Sequence, residues 1–261
     1  MRKLPFAVRV RQFARLLLLQ STWSFERMQG LGLAWALEPW LERLYPTVAE
    51  RRAALQRHSE YFNTQPYVAS LILGLICALE QDAAALPADR RGPAFERVRA
   101  VKKAMASSLA GAGDAFFWGA LRPAAAAAAV LVGVAAMPRA PRQAGLWMAA
   151  TYLVCYNVPA LWLRWRGIAL GYEWREQLPA RLKKLRVQTW VTGARTAGVA
   201  LTVALLVVMA ARTDPAQRLL AAAVVAVGWL GCAVLPARVN ALRLYGGACA
   251  AGLLGALGGW L

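Results

Sequence analysis

The chain has 261 residues, 59% of them hydrophobic and only 17% charged, with a mean hydropathy of +0.41. A soluble domain carries roughly 45–50% apolar and roughly 25% charged residues, so an ordinary water-soluble fold is excluded and lipid is the better solvent. The net charge of +18 would suit nucleic acid in a soluble chain, but no basic stretch alternates with solvent-facing aromatics, and anionic lipid with cytoplasmic loops accounts for the surplus.

Residues 1–60 read as amphipathic interfacial helices that do not span. Phe6, Val10, Phe13, Leu16 and Leu17 recur at helical spacing between Arg9, Arg11 and Arg15, which suits a helix lying on a membrane surface. The basic start carries no cleavable signal pattern, because Glu26 and Arg27 interrupt the apolar stretch. Two further helices are expected near 22–42 and 47–60, parted by Pro46, with Trp35 and Trp40 at headgroup depth.

Residues 61–137 form a second region of re-entrant segments and a first span. The purely apolar part of 61–79, from Tyr67 to Leu79, is short for a hydrocarbon core of about 30 Å, so a half-membrane helix is expected there. The Arg- and Pro-rich stretch 81–103 reads as a water-facing loop. Residues 104–122 place Gly111, Gly113, Asp114 and Gly119 in apolar sequence, which predicts a second re-entrant segment, and the Ala-rich run 123–138 a short span.

The third region, 138–261, holds four candidate spans near 144–163, 193–211, 217–237 and 242–261. Glycines in the last one recur at a spacing that allows close helix approach. The basic loop 164–192 and the stretch 81–103 hold most loop cations, which predicts a cytoplasmic N-terminus and an external C-terminus. The expected fold is an all-α, polytopic membrane bundle with broken or re-entrant helices.

Several chemistries are missing. No GxxxxGK[ST], HExxH or GxSxG pattern occurs, and the single histidine, His58, cannot build a multi-histidine metal site. Cys77, Cys155, Cys232 and Cys249 lie singly in apolar segments and read as small buried hydrophobes. No cofactor, metal or catalytic residue is expected; the chain reads as a conduit, with His58 a structural histidine at a helix end or subunit contact.

Three polar stretches stand out. In Gln20–Gly32, Glu26 and Arg27 are adjacent, so on a helix they point about 100° apart and either reach different elements or belong to a solvated helix face with aromatic packing. In His58–Pro66, Asn63, Thr64 and Gln65 cluster neutral donors and acceptors just before an apolar helix. Such groups match sugar hydroxyls, and they equally suit a helix cap. In Gly111–Pro123, Asp114 and Arg122 stand two helical turns apart and share a side if the helix is unbroken, with Trp118 a stacking surface.

Together these stretches resemble the IID subunit of mannose/fructose/sorbose-type phosphotransferase systems. The resemblance is carried by Trp23 to Gly32 (Trp-x-Phe-Glu-Arg-Met-Gln-x-Leu-Gly), by Phe62 to Pro66 (Phe-Asn-Thr-Gln-Pro) and by Gly113 to Gly119, in the family's order. A looser match follows at Gly171-Tyr172 and the Gly-rich end. Ala115 stands where the family usually has proline, which implies a softer kink. The resemblance implies a bacterial inner-membrane subunit that pairs with a IIC subunit, in several copies, to conduct a hexose. Cytoplasmic IIA and IIB proteins would carry and deliver the phosphate. It also implies that Asn63, Thr64, Gln65, Asp114 and Trp118 line the sugar path or its gate, with Glu26, Arg27, His58 and Arg122 in structural or gating roles. The alternative is a non-transporting regulatory or scaffolding membrane protein of the same descent.

Overall fold

The computed structural model describes residues 4–212. The spans expected at 217–237 and 242–261, Cys232, Cys249, the glycine-rich end and the side taken by the C-terminus lie outside them. Among the described residues the chain is helical, with two isolated bridges and no strand, and three stretches are long and apolar enough to cross a membrane: Ala88–Ala136, Pro141–Lys184 and Val187–Met209. This is an all-α membrane protein. The span expected at 144–163 falls inside the second stretch, and those expected at 123–138 and 193–211 overlap the first and the third.

α1 (Phe6–Leu17) packs on α2 (Gly30–Leu44) with Val8, Gln12 and Leu16 buried, while Phe6, Val10 and Leu17 face outward. Of the expected apolar stripe, Leu16 is packed and Phe13 lies against the core, while the other three stay on the outside. Beside them Arg15 donates to Glu38 at 2.5 Å and Arg11 to Glu42 at 3.4 Å. α2 stops at Tyr45-Pro46. α3 (Val48–His58) then starts with a capping box, in which Thr47 Oγ1 accepts from the Glu50 N–H and Glu50 accepts from the Thr47 N–H.

α4 (Ala69–Ala84) is buried along most of its 16 residues, so its apolar surface meets protein. At 1.5 Å per residue it is about 24 Å long and does not cross alone. It lies tightly against α7 (Pro141–Trp174): a Cβ on Gly74 would sit 2.1 Å from the Ile168 carbonyl oxygen, and one on Gly171 would sit 1.9 Å from that of Leu71. Only glycine permits these approaches, which bring two backbones together where side chains would hold them apart.

α5 (Arg91–Phe116), a π turn at Phe117–Leu121 and α6 (Arg122–Ala136) form one continuous helical stretch. This corrects two expectations. Residues 91–103 are helix, not loop, and the chain runs straight through 104–122 without turning back. Pro93 lies in the first turn of α5, where a missing N–H costs nothing, and Val98, Lys102, Met105 and Leu109 give the helix an inward face despite its charge.

The basic stretch 164–192 is likewise mostly helical. α7 continues to Trp174, and α8 (Leu178–Lys184) and α9 (Val187–Arg212) take up most of the rest. α7 continues because its residues there are packed: Trp165 meets Phe6, Phe13 and Arg9, and Arg164 is buried against Pro66 and Tyr67. The compact unit that holds α1 to α8 ends at Leu205, within α9, and a second unit begins at Leu206.

Candidate functional site

The first two polar stretches are joined along their backbones. Ser24 and Met28 exchange hydrogen bonds across a tight loop, in which Met28 takes the left-handed φ of 51°. The loop then pairs with the second stretch: the Gln29 N–H donates to the Phe62 carbonyl at 2.8 Å, and the Phe62 N–H donates to the Arg27 carbonyl at 3.2 Å. Gln29 extends this pairing with its side chain. Its Nε2 donates to the Thr64 carbonyl at 2.8 Å and its Oε1 accepts from the Thr64 N–H at 3.2 Å, so a buried amide stands in for one more strand residue. Thr64 Oγ1 donates to the Ala106 carbonyl on α5 at 3.0 Å, one turn before the third stretch, which itself packs against this region: Gly113 lies against the Gln65 side chain, and the Phe117 ring lies 4.7 Å from that of Tyr67.

The residues singled out above take different places in this arrangement. Thr64 is buried in the junction. Gln65 is buried too, and its Oε1 accepts from the Tyr67 and Val68 N–H groups, so it caps the start of α4. Asn63 is exposed and lines a cleft of about 850 Å³ with Tyr61, Arg99, Lys103 and Ser107. Glu26 and Arg27 line a neighbouring cleft of about 700 Å³ with Gln56, Glu60 and Arg99. They are not on a helix and reach no separate elements; they face each other at 3.6 Å, both exposed. Asp114, Trp118 and Arg122 are exposed along the long helix and line neither cleft. The π turn intervenes, and the Arg122 guanidinium lies over the Trp118 ring at 5.1 Å instead of meeting Asp114. The geometry thus groups Asn63 with Glu26 and Arg27, not with Asp114.

His58 ends α3, fully buried, in a charge cluster centred on Glu80 of α4. Arg57 Nε and Nη2 donate to Glu80 at 3.0–3.2 Å, Tyr45 Oη donates at 2.6 Å, and His58 Nε2 lies 2.9 Å away. Lys102 Nζ donates to the Arg57 carbonyl at 3.0 Å, adding α5. Burial disfavours the charged form of Glu80, but the His58 hydrogen bond and the Arg57 charge outweigh it and hold the carboxyl at about 2. Burial pulls His58 below its ordinary value, against the opposing pull of Glu80, so the imidazole is neutral and its Nε2–H donates. With its oxygens saturated by donors, Glu80 offers no lone pair for proton transfer. The cluster ties α2, α3, α4 and α5 together at the base of the Asn63 turn. Among the described residues no group of three or more acidic, His or Cys side chains is placed to hold a metal.

Sequence reasoning missed Gln29, Arg57, Glu80 and Lys102. Glu80 had a signal, since it is the charge at which the apolar run from Tyr67 ends; Gln29 sat inside a quoted motif without a role.

Residues 6–223 match the model of the PTS system mannose/fructose/sorbose family IID component. The chain belongs to this family. It is 37% identical over 164 residues to the PTS system mannose-specific EIID component of Escherichia coli strain K12, covering 62% of this chain and 53% of that protein. It is 31% identical over 166 residues to the sorbose-specific EIID component of Klebsiella pneumoniae, covering 63% and 56%. It is 28% identical over 187 residues to the fructose permease IID component of Bacillus subtilis strain 168, covering 72% and 64%. The chain thus spans about half the length of the mannose- and sorbose-specific relatives it matches. Among solved structures it resembles one described as a membrane protein, with a TM-score of 0.74, 27% identity and 98% of each chain covered. It also resembles a chain of the mannose transporter ManYZ in complex with microcin E492, with a TM-score of 0.57, 28% identity and coverage of 100% and 99%. The chain is thus a membrane-embedded member of the IID component family.

Proposed function

We propose that this IID chain pairs with a IIC-type membrane subunit to conduct a hexose across the bacterial inner membrane, N-terminus in the cytoplasm, coupled to phosphorylation by cytoplasmic IIA and IIB proteins. One observation carries the reading: the Trp23–Gly32 and Phe62–Pro66 stretches are hydrogen-bonded to each other, Gln65 of the second packs against Gly113 of the third, and Asn63 faces a cleft beside them. The sugars named for the relatives, mannose, sorbose and fructose, are all hexoses. A neutral amide such as Asn63 suits their hydroxyls because it both donates and accepts without a charge penalty. Asp114, Trp118 and Arg122, exposed along an apolar helix, face the membrane partner in this reading, since an acid in a span needs a companion.

The test is uptake of labelled mannose, fructose and sorbose by the complex with its membrane partner, reconstituted with the phosphocarriers. Asn63→Ala and Asp114→Ala should each lower uptake about tenfold or more, the loss of one or two good hydrogen bonds. Unchanged uptake and affinity in both would remove these residues from the path.

Ala115 favours a second reading, a non-transporting regulatory or scaffolding member of the family. Helix α5 carries this position in its last turn. Neighbouring coding sequences for IIA, IIB and IIC subunits decide against that reading if present and for it if absent.

A further inference from the structure

Three polar atoms around the head of α4 have no hydrogen-bond partner among the described residues, although each is buried: Gln65 Nε2, the Tyr156 hydroxyl and Arg164 Nε. Their residues are 2%, 6% and 7% exposed. One ring connects them. Tyr67 donates its backbone N–H to Gln65 Oε1 at 2.8 Å, lies edge-on to Tyr156 at 5.9 Å, and sits 4.9 Å beneath the Arg164 guanidinium. Phe117, presented by the π turn, closes a further side at 4.7 Å, and Tyr152 stacks on Tyr156 at 5.8 Å.

Each feature is costly by itself. A buried donor left unpaired forfeits its hydration, and a lone cation in an apolar span forfeits more. Among the described residues Arg164 meets no carboxylate; its acceptor there is the Pro66 carbonyl at 3.4 Å. π turns inside helices concentrate at functional sites. Here all of these meet at one tyrosine, immediately after the Asn63–Gln65 stretch.

The donor count identifies the ligand class. The free groups are an amide NH2, a guanidinium N–H and a phenol, so they supply donors and hardly any acceptors. They are set among tyrosine and phenylalanine rings. The complement is a neutral molecule rich in oxygen lone pairs with one apolar face, which describes a pyranose or furanose hexose.

We propose that Gln65, Tyr156 and Arg164 form a hexose-hydroxyl subsite with Tyr67 as its stacking face. The proposal rests on the hexose-permease reading and adds α7 to the residues that recognise the sugar. α4, the π turn and α7 enclose the subsite in this structure, so entry takes a shift of one of them, as alternating access requires of a mid-membrane site.

Equilibrium binding of labelled D-mannose, D-fructose and L-sorbose to the complex with its membrane partner, in lipid nanodiscs, tests this. Tyr156→Phe keeps the ring packing and removes only the hydroxyl. It should raise Kd for the bound hexose about three- to tenfold and leave Tm unchanged, because that hydroxyl has no hydrogen-bond partner among the described residues. Arg164→Gln should raise Kd about tenfold or more. If the wild-type complex binds a hexose and both variants bind it equally well, or if Tyr156→Phe lowers Tm without moving Kd, the subsite is wrong while the permease reading stands. If the wild-type complex binds none of the three sugars, both fall.

Discussion

Replacing Glu80 by Gln isolates the contribution of the buried charge cluster. The side chain is fully buried, and Arg57, itself 8% exposed, depends on its carboxylate for three hydrogen bonds. The amide keeps the shape and part of the hydrogen bonding but leaves a guanidinium without a counter-charge. Removing one member of such a pair costs about 3–5 kcal/mol, because the remaining charge stays desolvated. For a chain of this size each kcal/mol moves Tm by about 2–4 °C, so a fall of roughly 6–20 °C is expected. Thermal unfolding of the detergent-solubilised protein, followed by tryptophan fluorescence, measures it. The paired variant Arg57→Met with Glu80→Gln should recover most of the loss, since it removes the uncompensated guanidinium while the amide oxygen still accepts from Tyr45 and His58. A Tm drop under about 2 °C for Glu80→Gln, or no recovery in the double variant, would refute the assignment of Glu80 as the counter-charge that holds four helices.

Other expectations follow from the same geometry. Glu80 is held at about 2, below its ordinary 4.5, so its contribution is complete above pH 4.5 and is lost as pH falls towards 2. His58 is pulled below 6.5, so its contribution is complete above that pH and is lost on acidification; wild-type Tm should begin to fall below about pH 6.5, and His58→Gln should flatten that first decline. Gly171→Ala places a methyl 1.9 Å from a backbone oxygen of α4 and should cost about 1–3 kcal/mol or more, whereas Gly145→Ala meets nothing within 4 Å and should be neutral or slightly stabilising in the same unfolding assay. Gln29→Ala leaves the buried Thr64 N–H unpaired and should cost about 1–3 kcal/mol, while Arg97→Ala, which loses an ion pair 66% and 43% exposed, should cost less than about 1 kcal/mol.

The membrane fold was legible because hydropathy is a property of whole segments, and no local detail overturns it. The three motifs were legible as a group, and the structure hydrogen-bonds the first two and packs the third against them. What escaped were pairings between distant residues. Arg57 and Glu80 stand 23 positions apart, and Gln29 and Thr64 stand 35 apart, so no local spacing announces either. Charge counting also misplaced helix ends. Arg91–Lys103 and Arg164–Trp174 look like loops when every cation is assigned to water, yet Lys102 and Arg164 are buried, each with a carbonyl as acceptor.

The long helix has a mechanical consequence. Ala88–Ala136 is 49 residues, about 74 Å at 1.5 Å per residue, and a bilayer core takes up only about 30 Å of that. The π turn divides it unequally, leaving about 44 Å between Phe117 and the end near Ala88. A rod of that length converts angle into distance: a change of about 10° at the π turn carries Arg91 through about 7 Å. That end is tethered by Arg91 to Glu50 and by Arg97 to Glu176. A rotation too small to notice beside Tyr67 therefore becomes a full side-chain length at the far tip, and breaking either tether sets the stroke.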